Sequence, residues 1–335
     1  MLLILKGVDY HRMRPVVIVI VLLCAILVLF KFDEHIEEWH LDRLRSRSIK
    51  WDTEAVTRGR RVAATSSINF CFIARDCADA VRRNIDVIEG WGTRFAQYRV
   101  VAFENDSEDD TREVLRHWAR NNNRVVLLEC PAVSECRFSE KRGYTLGQFS
   151  HSRIQKMGNY RERYLNAVRN SDFEFTMVID IDIDLPGVPI EGMYHALSKT
   201  DDWDAIFHNG RVAIPGTWGT LTIPYDAMAF EAEGDMSKIT GFVAWKMLRN
   251  YWRLRRVYAS GDFVRVQSAF NGLALYRTSA LRNASYKNDG SVICEHNVLH
   301  ARMTNKFACA PWIGYHLKQG DGSVLKQARN LFLGR

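Results

Sequence analysis

The sequence predicts an α/β fold, with a mostly parallel, doubly wound sheet flanked by helices and preceded by one N-terminal transmembrane helix. Three observations carry this. Residues 15–30 (PVVIVIVLLCAILVLF) form an uncharged apolar block. From Ile68 onward, apolar runs of strand length alternate with helical stretches, which argues for right-handed crossovers between parallel strands. Two of those runs end in acidic clusters, and ligands of such sheets bind outside the carboxyl ends of the strands.

The N-terminal block comes first. As a helix, its sixteen residues span roughly 24 Å, at the short edge for a bilayer. Lys6, Arg12 and Arg14 precede it, while Asp33, Glu34, Glu37 and Glu38 follow. The positive-inside rule then puts the N-terminus in the cytosol and the rest across the membrane. No small-residue cleavage site follows, so the block reads as an uncleaved signal anchor. The expected organisation is a cytosolic tail (1–14), an anchor (15–31), a solvated stem (32–66) and one catalytic domain (67–335). This describes a single-pass type II membrane protein with a lumenal domain, in Golgi or ER.

Six cysteines lie beyond the anchor: Cys71, Cys77, Cys130, Cys136, Cys294 and Cys309. An even number in a lumenal domain suits disulfides, and 71–77, 130–136 and 294–309 are the natural pairs by spacing. None forms a C-x-x-C, which speaks against zinc. Asn105 and Asn283 head N-glycosylation sequons.

Within the domain, residues 68–74 (INFCFIA) are the first strand, followed by a helix bearing Ala80, Ile85 and Ile88. Residues 98–103 (YRVVAF) are the second, ending in the acidic turn 104–110 (ENDSEDD). A helix over 111–120 and a third strand over 124–129 follow. The first strand leads into neither G-x-G-x-x-G nor a Walker A loop, which disfavours dinucleotide dehydrogenases and P-loop kinases. A basic helix over 159–170 (NYRERYLNAVRN) precedes the buried strand 173–179 (FEFTMVI) and then Asp180-Ile-Asp182-Ile-Asp184. Strand alternation turns these three acids to one side, where they repel one another unless a cation sits between them. Mn²⁺ or Mg²⁺, with phosphate oxygens completing the shell, is the natural occupant. Asp204 and Asp226 are candidates for sugar hydroxyls or for turn capping, and Trp218 for stacking or core. Residues 240–258 read as an amphipathic helix with a basic face. The total charge is +7, from 46 basic and 39 acidic residues. With no recognition motif beside it, that excess does not make nucleic acid an expected partner.

This order of elements, with its acidic turn and Asp-x-Asp, resembles the GT-A glycosyltransferases over roughly residues 68–318. The turn is similar to the D-x-S-x-D-x-T loop of glycosyltransferase family 2 and to the E-N-D-S-x-D-x-T of the fungal capsule-associated mannosyltransferases. The resemblance implies a GT-A (Rossmann-like) fold and a metal-dependent hexosyltransferase. Its donor would be a GDP- or UDP-sugar, and its acceptor a glycan, glycoprotein or glycolipid. It implies that Glu104 and Asp106 contact the nucleotide base or ribose, with Ala74 and Arg75 lining the same pocket. Arg161 and Arg169 would lie near the diphosphate. Asp180–Asp184 would hold the metal, through 180/182 or 182/184, with Asp182 in both. Residues 268–277 resemble the acceptor segment. Residues 294–302 (CEHNVLHAR) stand where inverting members carry E-D-x-x-L-x-x-R, which points to Glu295 as general base; His296 replaces the second acid. His316, then His300, then His296 are candidates to join the metal. A closer likeness to the fungal mannosyltransferases would imply retention, with Glu295 in another role. Other readings of the chain are an inactive tethered lectin or scaffold and a sugar nucleotidyltransferase.

Overall fold

The computed structural model describes residues 51–130, 136, 151–216, 219–233, 243–259, 262–287 and 294–316. The expected tail and anchor, the stem up to residue 50, and Trp218 lie outside them. Among the described residues no helix is long and apolar enough to cross a membrane.

In chain order the elements are α1 (Thr53–Thr65), β1 (Ser67–Ala74), α2 (Ala78–Gly92), β2 (Gln97–Glu104), α3 (Thr111–Asn121), β3 (Val125–Glu129), α4 (His151–Val168) and β4 (Phe175–Asp180). Then come α5 (Ile190–Leu197), β5 (Ala205–Gly216), β6 (Gly219–Pro224), β7 (Glu231–Ala232), α6 (Val243–Val257), β8 (Phe263–Ser268), β9 (Leu273–Arg277), α7 (Glu295–His300) and β10 (Lys306–His316). The main sheet runs β3-β2-β1-β4-β9-β5-β10-β8-β7, with β6 paired to β5. β1 pairs in parallel with β2 and β4, β2 with β3, and β10 with β5. β9 is antiparallel to both β4 and β5, so β5 and β10 point the same way as β4. The expected mostly parallel sheet is present, with strand boundaries of β1–β4 within two residues of those read from the sequence.

β1 and β4 sit centrally and bury both faces, as their near-continuous apolar runs require. Phe70, Phe72, Met177 and Ile179 enter the core on one side of the sheet, while Cys71 and Val178 enter the core on the other. This alternation corrects the cystine pairs. Cys71 and Cys294 belong to one core, Cys77 and Cys309 to the opposite one, and all four are free thiols. The sheet therefore separates 71 from 77 and 294 from 309. Cys130–Cys136 is bonded, with Cα atoms 6.2 Å apart.

The stem expectation is corrected over 51–66. α1 is capped by Asp52, whose Oδ1 accepts from the Glu54 and Ala55 amides at 2.9 and 3.1 Å. It buries Ala55, Val56, Gly59 and Ala63 along one face. A Cβ at Gly59 would lie 1.6 Å from the Tyr194 carbonyl oxygen of α5, so only glycine permits this approach. The segment is part of the folded domain. α6 is amphipathic as expected: Asn250, Leu254 and Tyr258 face inward, while Trp252, Arg255 and Arg256 are exposed.

Candidate functional site

The turn after β2 is built by its own acids. Buried Glu104 accepts from the Ser107 amide (2.7 Å) and from Arg112 Nε (2.9 Å). Asp109 accepts from the Ala78 amide at 3.1 Å, and Thr111 Oγ from the Cys77 amide at 2.8 Å, tying the turn to the start of α2. Asp76 completes the link by accepting from the Glu108 amide at 2.7 Å. Asp76 and Asp106 take left-handed backbone conformations, φ 46° and 50°. Asp106 remains part-exposed, 3.4 Å from Arg112. Ala74 is buried at the end of β1, its carbonyl accepting from the Asn105 amide at 3.0 Å; Arg75 lies 3.4 Å from Asp76. The expected donor-pocket residues thus converge, but Glu104 spends its oxygens on folding the loop. Asn105 is 3% exposed, so its sequon is enclosed, whereas Asn283 is exposed.

The acidic run after β4 departs from expectation. The strand ends at Asp180 because Asn84 of α2 seizes the next residues. Its Nδ2 donates to the carbonyls of Ile181 (2.8 Å) and Ile183 (2.7 Å), and its Oδ1 accepts from the Leu185 amide at 3.3 Å. The chain turns there, and alternation no longer holds. Asp184 is buried and paired with Arg83 at 3.3 Å, on the α2 side. Asp180 and the exposed Asp182 remain beside each other, close enough for Asp182 to affect Asp180 electrostatically.

Next to Asp180 lies a cavity of about 250 Å³, walled by Arg161, Val212, Tyr225, Asp226, Phe270, Cys294, Glu295 and His296. It sits where the parallel strands end, as the fold class requires. Arg161, 4% exposed on α4, is its organising cation. Nη2 donates to Asp180 at 2.9 Å, Nε donates to Glu295 Oε1 at 3.1 Å, and the guanidinium lies 5.4 Å from the Phe270 ring centre. Its Nη1 is buried without a hydrogen-bond partner among the described residues. Burial pushes the Asp180 carboxyl up to about 7, with Arg161 opposing and Asp182 reinforcing the rise. Burial also raises Asp226, whose carboxylate accepts from the Met228 and Ala229 amides at 3.0 and 3.1 Å.

The turn Asn271-Gly272, both left-handed, joins this wall to β9. Asn271 Oδ1 accepts from the Asp226 amide (3.2 Å), Nδ2 donates to the Tyr258 hydroxyl (2.6 Å), and the carbonyl accepts from His208 Nδ1 (3.0 Å). Burial lowers His208 to about 4.

Several expected site residues are employed elsewhere. Arg169 pairs with Glu162, which also accepts from the Tyr286 amide at 2.9 Å, so it braces α4 instead of reaching the cavity. His300 is a satisfied core histidine, bonded to Ser268 Oγ at 2.7 Å and Tyr276 Oη at 2.8 Å. Asp204 caps a turn through the Thr304 and Asn305 amides at 2.7 and 3.0 Å. His316 is buried, one ring beyond Tyr225 at 5.8 Å between centres. Tyr225 and Val212 were not anticipated as cavity walls; only the acid next to Tyr225 signalled the segment.

Among the described residues no group of three or more His, Cys, Asp or Glu is arranged to hold a metal ion. Asp180 and Asp182 nonetheless fit a hard divalent cation. Two adjacent carboxylates, one of them reluctant to ionise, offer oxygen ligands, and Mg²⁺-type ions take one or two carboxylates with phosphates completing the shell.

No family model and no curated protein matches the chain. Among solved structures it is similar to the mannosyltransferase PcManGT from Pyrobaculum calidifontis in complex with GDP-Man and Mn²⁺. That match has 15% identity and TM-score 0.46, over 85% of this chain and 64% of that one. It is also similar to S. aureus TarS 1-349, at 13% identity and TM-score 0.42, over 75% of this chain and 60% of that one. Mannosyl-3-phosphoglycerate synthase from Rubrobacter xylanophilus matches at 12% identity and TM-score 0.38, over 84% and 75%. The chain thus spans less than two thirds of the length of the first two.

Proposed function

We propose that this chain is a metal-dependent glycosyltransferase, moving a sugar from a nucleoside-diphosphate sugar to a hydroxyl of a glycan or glycoconjugate. The observation that carries the reading is Arg161. One buried guanidinium of the cavity wall joins Asp180 to Glu295, while its Nη1 has no partner among the described residues, where an anionic ligand would be received.

In this reading Asp180 and Asp182 hold Mn²⁺ or Mg²⁺, which supplies Lewis-acid neutralisation of the leaving diphosphate. Ala74, Arg75 and Asp106 hold the base and ribose. Arg161 Nη1 donates to a diphosphate oxygen. The acceptor hydroxyl oxygen bonds to the anomeric carbon while the bond from that carbon to the diphosphate breaks, its electron pair leaving with the nucleotide. The hydroxyl proton passes to Glu295, whose Oε1 accepts from Arg161 and whose Oε2 accepts, among the described residues, only the weak Cys294 thiol donor at 3.6 Å. Inversion follows. The Arg161–Glu295 bond favours a second reading, because it fixes the carboxylate beside a buried cation at the cavity wall. Glu295 would then stabilise positive charge at the anomeric carbon, with retention. The apolar block at 15–30 supports a membrane-tethered lumenal enzyme.

The test is transfer and donor hydrolysis across GDP- and UDP-sugars with Mn²⁺, with the product anomer read by NMR. Absence of turnover with every donor, or activity indifferent to a chelator, would remove the reading; an inverted product selects Glu295 as base.

A further inference from the structure

α7 carries two buried histidines one turn apart, and the protein treats them oppositely. His300 has both ring nitrogens bonded, to Ser268 and Tyr276. His296, 2% exposed, has neither Nδ1 nor Nε2 in a hydrogen bond among the described residues. Its ring is nevertheless fixed, lying on Phe270 with centroids 3.8 Å apart and planes 18° from parallel, and edge-on to Tyr286 at 5.7 Å. It forms part of the cavity wall beside Arg161, Asp226 and Glu295. Buried polar atoms left unpaired are costly, and each one in a folded protein calls for an explanation. His296 lines a cavity of about 250 Å³, where a ligand can supply the partner.

We propose that His296 is a specificity-determining contact that reads a hydroxyl of a sugar ring in this cavity. The proposal rests on the glycosyltransferase reading. Burial, and then the charges of Arg161 and His300, lower the proton affinity of His296, so its imidazole is neutral. A neutral imidazole offers one N–H and one lone pair. That set complements a hydroxyl, which both donates and accepts. A phosphate oxygen only accepts, and is served by the neighbouring Arg161. The position is also where this sequence departs from the motif it resembles, with an imidazole where an acid would stand. A site built to bond a hydroxyl rejects an analogue lacking it, because its own polar atoms are then stranded.

The hydroxyl belongs either to the donor sugar or to the acceptor, and the test separates them. The full-length wild type, His296→Phe and His296→Gln would be compared with UDP-glucose, UDP-N-acetylglucosamine and GDP-mannose, with their monodeoxy analogues, and with deoxy acceptors. His296→Phe keeps the stack on Phe270 and removes both nitrogens. It is expected to melt no lower than wild type, to bind UDP or GDP alone unchanged, and to lose up to about 100-fold in kcat/KM. Wild type should reject one deoxy analogue by a similar factor, and His296→Phe should accept both forms equally. His296→Gln, which retains a donor and an acceptor, should recover part of the discrimination. A discriminated donor analogue assigns the contact to the donor, and a discriminated acceptor analogue to the acceptor. Unchanged kcat/KM in His296→Phe, or a lower melting temperature with discrimination intact, overturns the proposal. If wild type transfers no sugar, the glycosyltransferase reading fails by itself. Free-sugar binding by NMR, lost in His296→Phe, then still decides the hydroxyl contact.

Discussion

The acidic loop after β2 and the cavity beside β4 both draw on charged residues, and they use them in opposite ways. In the loop, Glu104, Asp109 and Asp76 accept from backbone amides or from Arg112, and the acids themselves hold the turn together. In the cavity, burial raises Asp180 and Asp226, and among the described residues Arg161 Nη1 and both His296 nitrogens have no hydrogen-bond partner. In the loop these three acids are satisfied internally. The cavity carries an electrostatic cost, as binding sites do. An acid-rich motif is therefore two populations of residues, those that shape a loop and those left for a ligand.

The sharpest break of this contrast is Arg161→Met. It leaves Asp180 and Glu295 buried without their shared cation and should cost about 3–5 kcal/mol of stability, measured by denaturant titration. Because Asp180 rises further without Arg161, part of that loss should be recovered as pH falls from alkaline values toward 7, where the variant takes up the proton before wild type does. Glu295→Gln still accepts from Arg161 Nε, so the fold should hold while turnover falls on the order of 10²–10⁴-fold. Turnover near wild type would take Glu295 out of the chemistry.

His208 tests the wall behind the cavity. Its folded value of about 4 lies below the unfolded 6.5, so the unfolded chain binds the extra proton between these pH values. Its contribution is complete above pH 6.5 and is lost as pH falls toward 4, by up to about 3 kcal/mol. His208→Gln should flatten the stability profile in that window. Glu104→Gln belongs to the other region. It should cost about 1–3 kcal/mol in melting experiments, while the folded fraction keeps its turnover. The smallest effect is expected from Asp52→Ala, about 1 kcal/mol from a lost helix cap, with activity unchanged. No change at all would mean that α1 does not contribute to the stability of the domain.

Much of the parallel sheet was legible because β1, β2 and β4 are apolar on both faces, and such runs stand out in a sequence. The cavity was partly legible: Arg161, Asp180 and Glu295 were identified singly, though nothing in the sequence says that one guanidinium joins the two acids. The misreadings share a cause. Asp184 was placed with Asp180 by strand periodicity, but Asn84, about a hundred residues earlier, ends the strand. Cys71 and Cys77 are neighbours in sequence and enter opposite cores. Arg169 looks like Arg161 on a helical wheel, yet Glu162 claims it. Each was decided by a distant partner that local pattern cannot name.

Gly59 has one more consequence. Because α1 is pressed against α5 without room for a methyl group, the rigid body begins by about residue 51. With an anchor over 15–31, as proposed, residues 32–50 separate it from the domain. Fully extended, some twenty residues reach no farther than about 70 Å. The domain would then stay within that distance of the bilayer, and acceptors held on the same surface would meet it at a high effective concentration.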